Sequence, residues 1–274
     1  MPLVSVIMPV YNAAAYLQKA IDSILQQTFS DFELIIVNDC STDNSEAIIK
    51  AYPDLRIKYI AQPTNQGVVA AMNRALHAVQ APYIAVMHAD DISFIDRFTR
   101  EYFYLEEHRE TAVVAGFIEN INESDAPVGK WEADRHNITA SQIKAAMITG
   151  NCIAHPSVMM RTELVKKYGY TSSPNHQGYA VEDYPLWLHL LAEGYVIEKI
   201  AEPLLYYRVH THSATGTFLR SRNPFLINYY SKKFFLQQRK DLGKWNAFDK
   251  KVRVSMYKDY VMGMLKEIKK KLFF

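Results

Sequence analysis

The sequence predicts an α/β protein: a mostly parallel sheet with helices on both faces, followed by a helical C-terminal appendage. Three observations carry that expectation. Strand-length apolar runs alternate with segments of helical periodicity four times in about ninety residues, the pattern of βαβ units. The aspartate cluster His88-Ala89-Asp90-Asp91 follows directly on one of those apolar runs. Beyond Ser213 the chain changes character and becomes basic and aromatic.

The elements follow in order. Val4 to Pro9, rich in β-branched residues, is the first strand, and Ala14 to Gln27 is a helix with Leu17, Ile21, Ile24 and Leu25 on one face. Phe32 to Val37 is the second strand. Asp43-Asn44-Ser45 then opens a helix toward Ile48, Ile49 and Tyr52. Ile57 to Ala61 is the third strand, followed by a helix that starts at Gly67 and carries Val69, Met72, Leu76 and Val79. Tyr83 to Met87 is the fourth. Phe98 to Glu107 reads as a helix and Ala112 to Ile118 as a strand, whereas Glu119 to His136 is polar and turn-rich and is expected to be a flexible loop. Ser141 to Ile148 is a helix, Ser157 to Met160 a strand, Glu163 to Tyr168 a helix, and Thr171 to Gly178 another loop. Glu182 to Ala192 forms a helix rich in Leu and Trp, and Val196 to Ile200 and Leu204 to Val209 form two further strands. From Tyr257 onward Tyr260, Val261, Met264, Leu265, Ile268 and Leu272 recur at helical steps, with Lys266, Lys269, Lys270 and Lys271 on other faces.

Composition removes several function classes. With 49% hydrophobic and 22% charged residues, the 274-residue chain is of ordinary globular type and long enough to bury a sizeable core. No apolar run reaches the roughly 18 residues that a membrane span needs. The start lacks the basic flank and cleavage site of a signal peptide, so a cytosolic protein is expected. Cys40 and Cys152 form no C-x-x-C pair, which argues against zinc and disulfide frameworks. Residues 216–274 carry 15 Lys and Arg against 4 Asp and Glu, while the remainder is acidic with 16 against 25. That division points the tail toward an anionic partner such as a membrane surface. No nucleic-acid motif accompanies it, and nucleic acid is not expected as a partner. One reading rests Phe218, Phe225, Tyr229, Tyr230, Phe234 and Phe235, with the terminal helix, on an anionic membrane carrying lipid-linked acceptors; the competing reading packs those rings on the body or on a second copy of the chain.

Candidate site residues lie where predicted strands end. The first strand ends at Pro9-Val10-Tyr11-Asn12, the second at Asn38-Asp39-Cys40-Ser41-Thr42-Asp43, and the fourth at His88-Ala89-Asp90-Asp91. In open α/β sheets ligands bind outside the carboxyl ends of the strands, and three polar clusters there describe a nucleotide-sized crevice. Aspartates at such an edge suit a hard divalent cation, although Asp, here Asp96 included, also caps helices. Neither G-x-G-x-x-G nor G-x-x-x-x-G-K-[ST] occurs, so phosphates must be held in another way, with a metal at Asp90 as the candidate.

Val4-Ser5-Val6-Ile7-Met8-Pro9-Val10-Tyr11-Asn12, Leu34-Ile35-Ile36-Val37-Asn38-Asp39-Cys40-Ser41-Thr42-Asp43, Asn65-Gln66-Gly67 and Asp90-Asp91-Ile92-Ser93 with Asp96-Arg97 strongly resemble family 2 glycosyltransferases of the GT-A fold. The resemblance continues through His155-Pro156-Ser157, Glu182-Asp183-Tyr184-Pro185-Leu186-Trp187 and Tyr207-Arg208-Val209-His210.

It implies a Rossmann-like catalytic domain over residues 1–213, with a nucleotide-sugar-binding half (1–110) and an acceptor-binding half (111–213). Residues 214–274 then form the helical tail. By the same resemblance a nucleotide-sugar, most often a UDP-sugar, contacts Pro9, Val10, Tyr11, Asn12, Asp39, Gly67, Asn73, His88, Ala89 and Asp90. Asp39 meets the uracil imide, and Asp90 holds Mn²⁺ or Mg²⁺ against the diphosphate, with His210 as a further metal ligand. His88 stands where the family usually has Asp. Glu182 and Asp183 match the acidic pair whose Asp is the catalytic base of inverting members, and His155 and Trp187 fall on the acceptor side. Glu182 and Asp183 equally suit a helix N-terminus, where carboxylates complement the dipole. His155 and His210 equally read as buried polar residues.

The activity implied is transfer of a sugar to a hydroxyl of a saccharide or lipid-linked acceptor, most often in bacterial surface polysaccharide assembly. An alternative keeps the scaffold as a binding module for nucleotide or glycan without turnover. The expected location is the cytoplasm, with the tail on the inner face of the membrane.

Overall fold

The computed structural model describes residues 1–171, 182–210 and 223–273. Most of the loop expected at 171–178, together with His212 and Phe218, lies outside them. Among the described residues nine strands form one sheet. The first five are β1 (Val4–Val10), β2 (Phe32–Asn38), β3 (Ile57–Ala61), β4 (Tyr83–Val86) and the short β5 (Ile92–Ser93). They are followed by β6 (Thr111–Ile121), β7 (Pro127–Lys130), β8 (Val158–Arg161) and β9 (Val196–Arg208). The order is β3-β2-β1-β4-β8-β6-β9-β5, with β7 paired to β6. β1 to β4 run parallel, β8 is antiparallel to both its neighbours, and β9 is parallel to β6.

Period-two alternation divides the core into two faces. Val4, Val6, Met8, Leu34 and Ile36 pack with α1 (Leu17–Leu25) and α4 (Arg97–Glu107) through Leu17, Ile21, Ile24 and Phe98. Ile7, Ile35 and Val37 face the other way, against Ala71, Met72 and Ala75 of α3 (Val68–Ala78). Each of these large side chains is fully buried, a contribution of roughly 1.5–3 kcal/mol apiece. The same face receives α8 (Asp183–Ala192), every residue of which is buried. Among the described residues no helix is long and apolar enough to cross a membrane.

Three expectations are corrected. Residues 119–136 are not a loop: β6 runs on to Ile121, β7 folds back as a hairpin, and α5 (Glu132–His136) follows. Their order is polar in origin, which hydrophobic periodicity could not report. The buried Asp134 carboxylate accepts the Ile118 N–H at 2.9 Å and the Lys199 ammonium at 2.6 Å. The two expected strands at 196–209 are one strand, because the Pro203 break is absorbed as a register shift opposite Gly116 and Phe117. Glycine is required there, since a Cβ on Gly116 would stand 2.5 Å from Leu204.

The terminal helix, α10 (Ala247–Phe273), starts ten residues before Tyr257 and is preceded by α9 (Pro224–Asp241). Both helices pack on the body through Phe235, Leu236, Phe248, Val252 and Met256. The buried Lys232 ties them together and to the body, donating to Thr149 O at 2.9 Å, to Ser255 Oγ at 2.9 Å and to Asp259 Oδ2 at 2.5 Å.

Candidate active site

The parallel strands end on one edge, Val10 level with Asn38 and Asn38 level with Ala61. Loops leaving that edge build the site. The first two are laced together: Asn12, in the left-handed region at φ 49°, donates its N–H to Ser41 Oγ at 3.0 Å and accepts the Thr42 N–H at 2.8 Å. Ala14 N–H reaches Asp43 Oδ2 at 2.9 Å. Tyr11 stands above this wall, half-exposed, while Pro9 and Val10 belong to the strand below it.

Asp39 is buried beneath the next loop. Its Oδ1 accepts from Gln62 Nε2 at 2.6 Å and Gln66 N–H at 2.8 Å, and its Oδ2 from Gly67 N–H at 2.7 Å. Asp39 thereby fixes the turn at Gly67, whose φ of 84° needs glycine, and Oδ2 keeps a lone pair for another donor. Asn73 belongs to α3. It accepts Tyr170 N–H at 2.9 Å and donates to Tyr170 O at 2.8 Å, which pins the segment that precedes residue 172.

The exit of β4 carries the aspartates. Arg97, wholly buried, bonds Val86 O at 3.0 Å and Val158 O at 3.2 Å, so the strand end is held from beneath while Glu101 neutralises the guanidinium. Asp91 accepts the Arg208 N–H at 2.9 Å, and Arg208 Nε donates to Asp90 O at 2.8 Å. This arginine also stacks on Tyr16 with its guanidinium carbon 4.6 Å from the ring centre. The strap brings His210 to Asp90, Nε2 to Oδ2 at 3.0 Å. The fourth-strand aspartate and a histidine 120 residues later thus meet.

These residues fit a divalent cation. Among the described residues Asp91 Oδ2 is buried without a hydrogen-bond partner, and burial, then the neighbouring Asp90, pushes its carboxyl well above the ordinary range. One donor atom from each of His88, Asp90 and Asp91 lies within 4.8 Å of the others. A cation would satisfy the orphaned oxygen.

Glu182 and Asp183 stand at the start of α8. Asp183 accepts from Asn151 Nδ2 at 2.7 Å and, through Oδ1, from Tyr184 N–H at 2.7 Å. Burial raises its pKa above the ordinary carboxylate value, with His155 and the Asn151 amide pulling the other way. Burial likewise raises Glu182. His88 and His155 are held down to about 4, burial being the main cause for each. His155 lies between His88, with ring centres 5.6 Å apart, and Trp187, at 6.0 Å. Trp187 has no exposed surface and sits in the core, so it offers an acceptor nothing to touch and supports His155 from behind.

Sequence reading missed Asn151 and Tyr170, which lie in segments without a motif. It took Arg208 only as part of a four-residue match, although this residue joins the loop after β4 to the last strand.

Comparison with known proteins matches residues 5–169 to the family model described as glycosyl transferase family 2. The chain is 33% identical over 245 residues to the O-antigen biosynthesis glycosyltransferase WbnJ of Escherichia coli, covering 86% of this chain and 90% of that protein. It is 30% identical over 243 residues to an uncharacterized glycosyltransferase of Methanocaldococcus jannaschii, with 87% and 81% covered. Among solved structures, S. aureus TarS 1–349 in complex with UDP-GlcNAc superposes with a TM-score of 0.68 at 20% identity, over 87% of this chain and 66% of that one, just under two thirds. The Pyrobaculum calidifontis mannosyltransferase PcManGT, in complex with GDP-Man and Mn²⁺, gives 0.64 at 16% identity, over 96% and 73%. At these identities the structural likeness establishes the GT-A fold.

Proposed function

This chain belongs to glycosyl transferase family 2, and from that premise we propose that it is an inverting, cation-dependent enzyme moving a sugar from a UDP-sugar to a hydroxyl of a saccharide or lipid-linked saccharide. The observation that carries the reading is His88. Its ring lies within 4.8 Å of donor atoms of Asp90 and Asp91 and also of Glu182, so the strand-end carboxylates and the helix-start pair share one site.

In this reading Tyr11 and the loop fixed by Asp39 frame the base and ribose, and Asp39 Oδ2 accepts the uracil imide N–H. Asp90, Asp91 and His210 would hold Mn²⁺ or Mg²⁺, whose chemistry when bound is to neutralise charge on the leaving diphosphate. Asp183 takes the proton of the acceptor hydroxyl as that oxygen bonds the anomeric carbon and the sugar–phosphate bond breaks. The raised proton affinity of Asp183 suits it to that task, and general-base help of this kind contributes about 10²- to 10⁴-fold. Asn151 holds the carboxylate in place.

The relative named for O-antigen biosynthesis supports a surface-polysaccharide acceptor. The exposed stripe Val254, Tyr257, Val261, Leu265 and Ile268 on α10, beside Lys258, Lys266 and Lys269, supports docking of that helix on anionic lipid. Of the expected tail aromatics among the described residues, Phe235 is buried, and Phe225, Tyr229, Tyr230 and Phe234 are half-buried on α9.

A panel of UDP-sugars with Mn²⁺ and a mixed saccharide acceptor tests the assignment, with UDP release as the readout. Release from one donor, dependent on acceptor and metal, is the expected result. UDP binding without release from any donor would make the chain a binding module and overturn the reading.

A further inference from the structure

His88 also belongs to a second donor set, which a diphosphate-bridging cation leaves unused. One atom each from His88, His155 and Glu182 lies within 4.8 Å of the other two. His155 is only 5% exposed, and among the described residues its Nδ1 has no hydrogen-bond partner while facing Glu182 Oε1 at 3.4 Å. A tetrahedral ion with ligands at about 2.0–2.1 Å holds neighbouring donors about 3.4 Å apart, so this pair already has the spacing of two ligands on one ion.

The other ring nitrogen is oriented as a ligating histidine requires. His155 Nε2 lies 3.3 Å from the Tyr170 hydroxyl, and Tyr170 is fixed through both its backbone groups by Asn73. A partner on the second nitrogen sets the tautomer that leaves Nδ1 free to bind. In that tautomer Nε2–H donates to the Tyr170 oxygen.

The chemistry of this set differs from that around Asp90. Two imidazoles and one carboxylate with an open fourth position suit zinc, whereas aspartate oxygens suit harder ions. We propose that His88, His155 and Glu182 form a second metal site, selective for a zinc-class transition ion and separate from the cation site at Asp90 and His210. Glu182 immediately precedes Asp183, so occupancy places positive charge beside the proposed base and weakens it as a proton acceptor. Zinc then slows transfer that magnesium or manganese supports.

Titration of the full chain with Co²⁺ under excess Mg²⁺, followed by visible absorption, tests the site without reference to turnover. One equivalent of Co²⁺ is expected to give the intense bands of a four-coordinate ion, and Zn²⁺ but not further Mg²⁺ should erase them. His88→Ala and His155→Gln should abolish the bands, and Asp90→Ala should keep them. If His155→Gln fails to fold, the half-buried His88→Ala decides alone. Absent bands, bands that survive His88→Ala, or bands lost in Asp90→Ala would each overturn the proposal. None of those outcomes touches the transfer reading, which the UDP-release panel tests separately.

Discussion

The two halves of the site treat a carboxylate in opposite ways. Asp90, at the exit of β4, is 27% exposed and meets a histidine that faces it across the crevice. Asp183, at the start of α8, is 9% exposed and is held by an amide and a backbone N–H. The first arrangement leaves a carboxylate open to a cation. The second raises its proton affinity by burial, yet leaves it hydrogen-bonded and fixed, which is what a general base near neutral pH needs. In the proposed reading, position on the fold gives two chemically identical groups different tasks.

The largest effect that separates them is expected from Asp183→Asn. Removing the base should lower kcat by about 10²- to 10⁴-fold while Mn²⁺-dependent UDP affinity, read by calorimetry, stays that of the parent. Unchanged kcat would end the assignment. Asp90→Ala should remove metal-dependent UDP binding and transfer together, and a loss of one without the other would blur the contrast.

Asn151→Ala sharpens it further. The amide lowers the Asp183 pKa, so its loss raises that pKa further, and transfer, which needs the carboxylate ionised, should fail at a higher pH than in the parent. A displacement of the acidic limb of kcat by about one pH unit, with activity recovered at high pH, is the expected profile. An unmoved limb would mean that Asn151 does not act through Asp183. The smallest effect on chemistry belongs to the tail: Val261→Glu with Leu265→Glu should cut flotation with anionic vesicles and leave transfer to a soluble acceptor unchanged. Equal flotation would show that α10 does not dock through this stripe.

Legibility in the sequence followed the type of force that orders each segment. β1 to β4 and the helices between them were readable because burial on two faces imprints alternation and helical periodicity, as at Val4, Val6 and Met8 against Ile7. Residues 119–136 were not, because Asp134, Lys199 and Asn122 order them through polar contacts that leave no period. Asp90, Asp183 and His210 could be named from local matches. Their supports could not: Asn151 reaches Asp183 from 32 positions away, and Arg208 reaches the Asp90 backbone from 118. The tail was legible as charge and as a terminal helix, but its anchors were not: Lys232 with Asp259 and Arg239 with Asp249 look like solvated residues until the fold buries them.

Calorimetric titration of UDP into the full chain with and without Mn²⁺, repeated on Asp90→Ala, tests the central claim most directly. Binding that appears with Mn²⁺ and disappears in Asp90→Ala is the predicted result. UDP binding of equal strength without metal, or retained in Asp90→Ala with metal, would contradict a cation held at the end of the fourth strand.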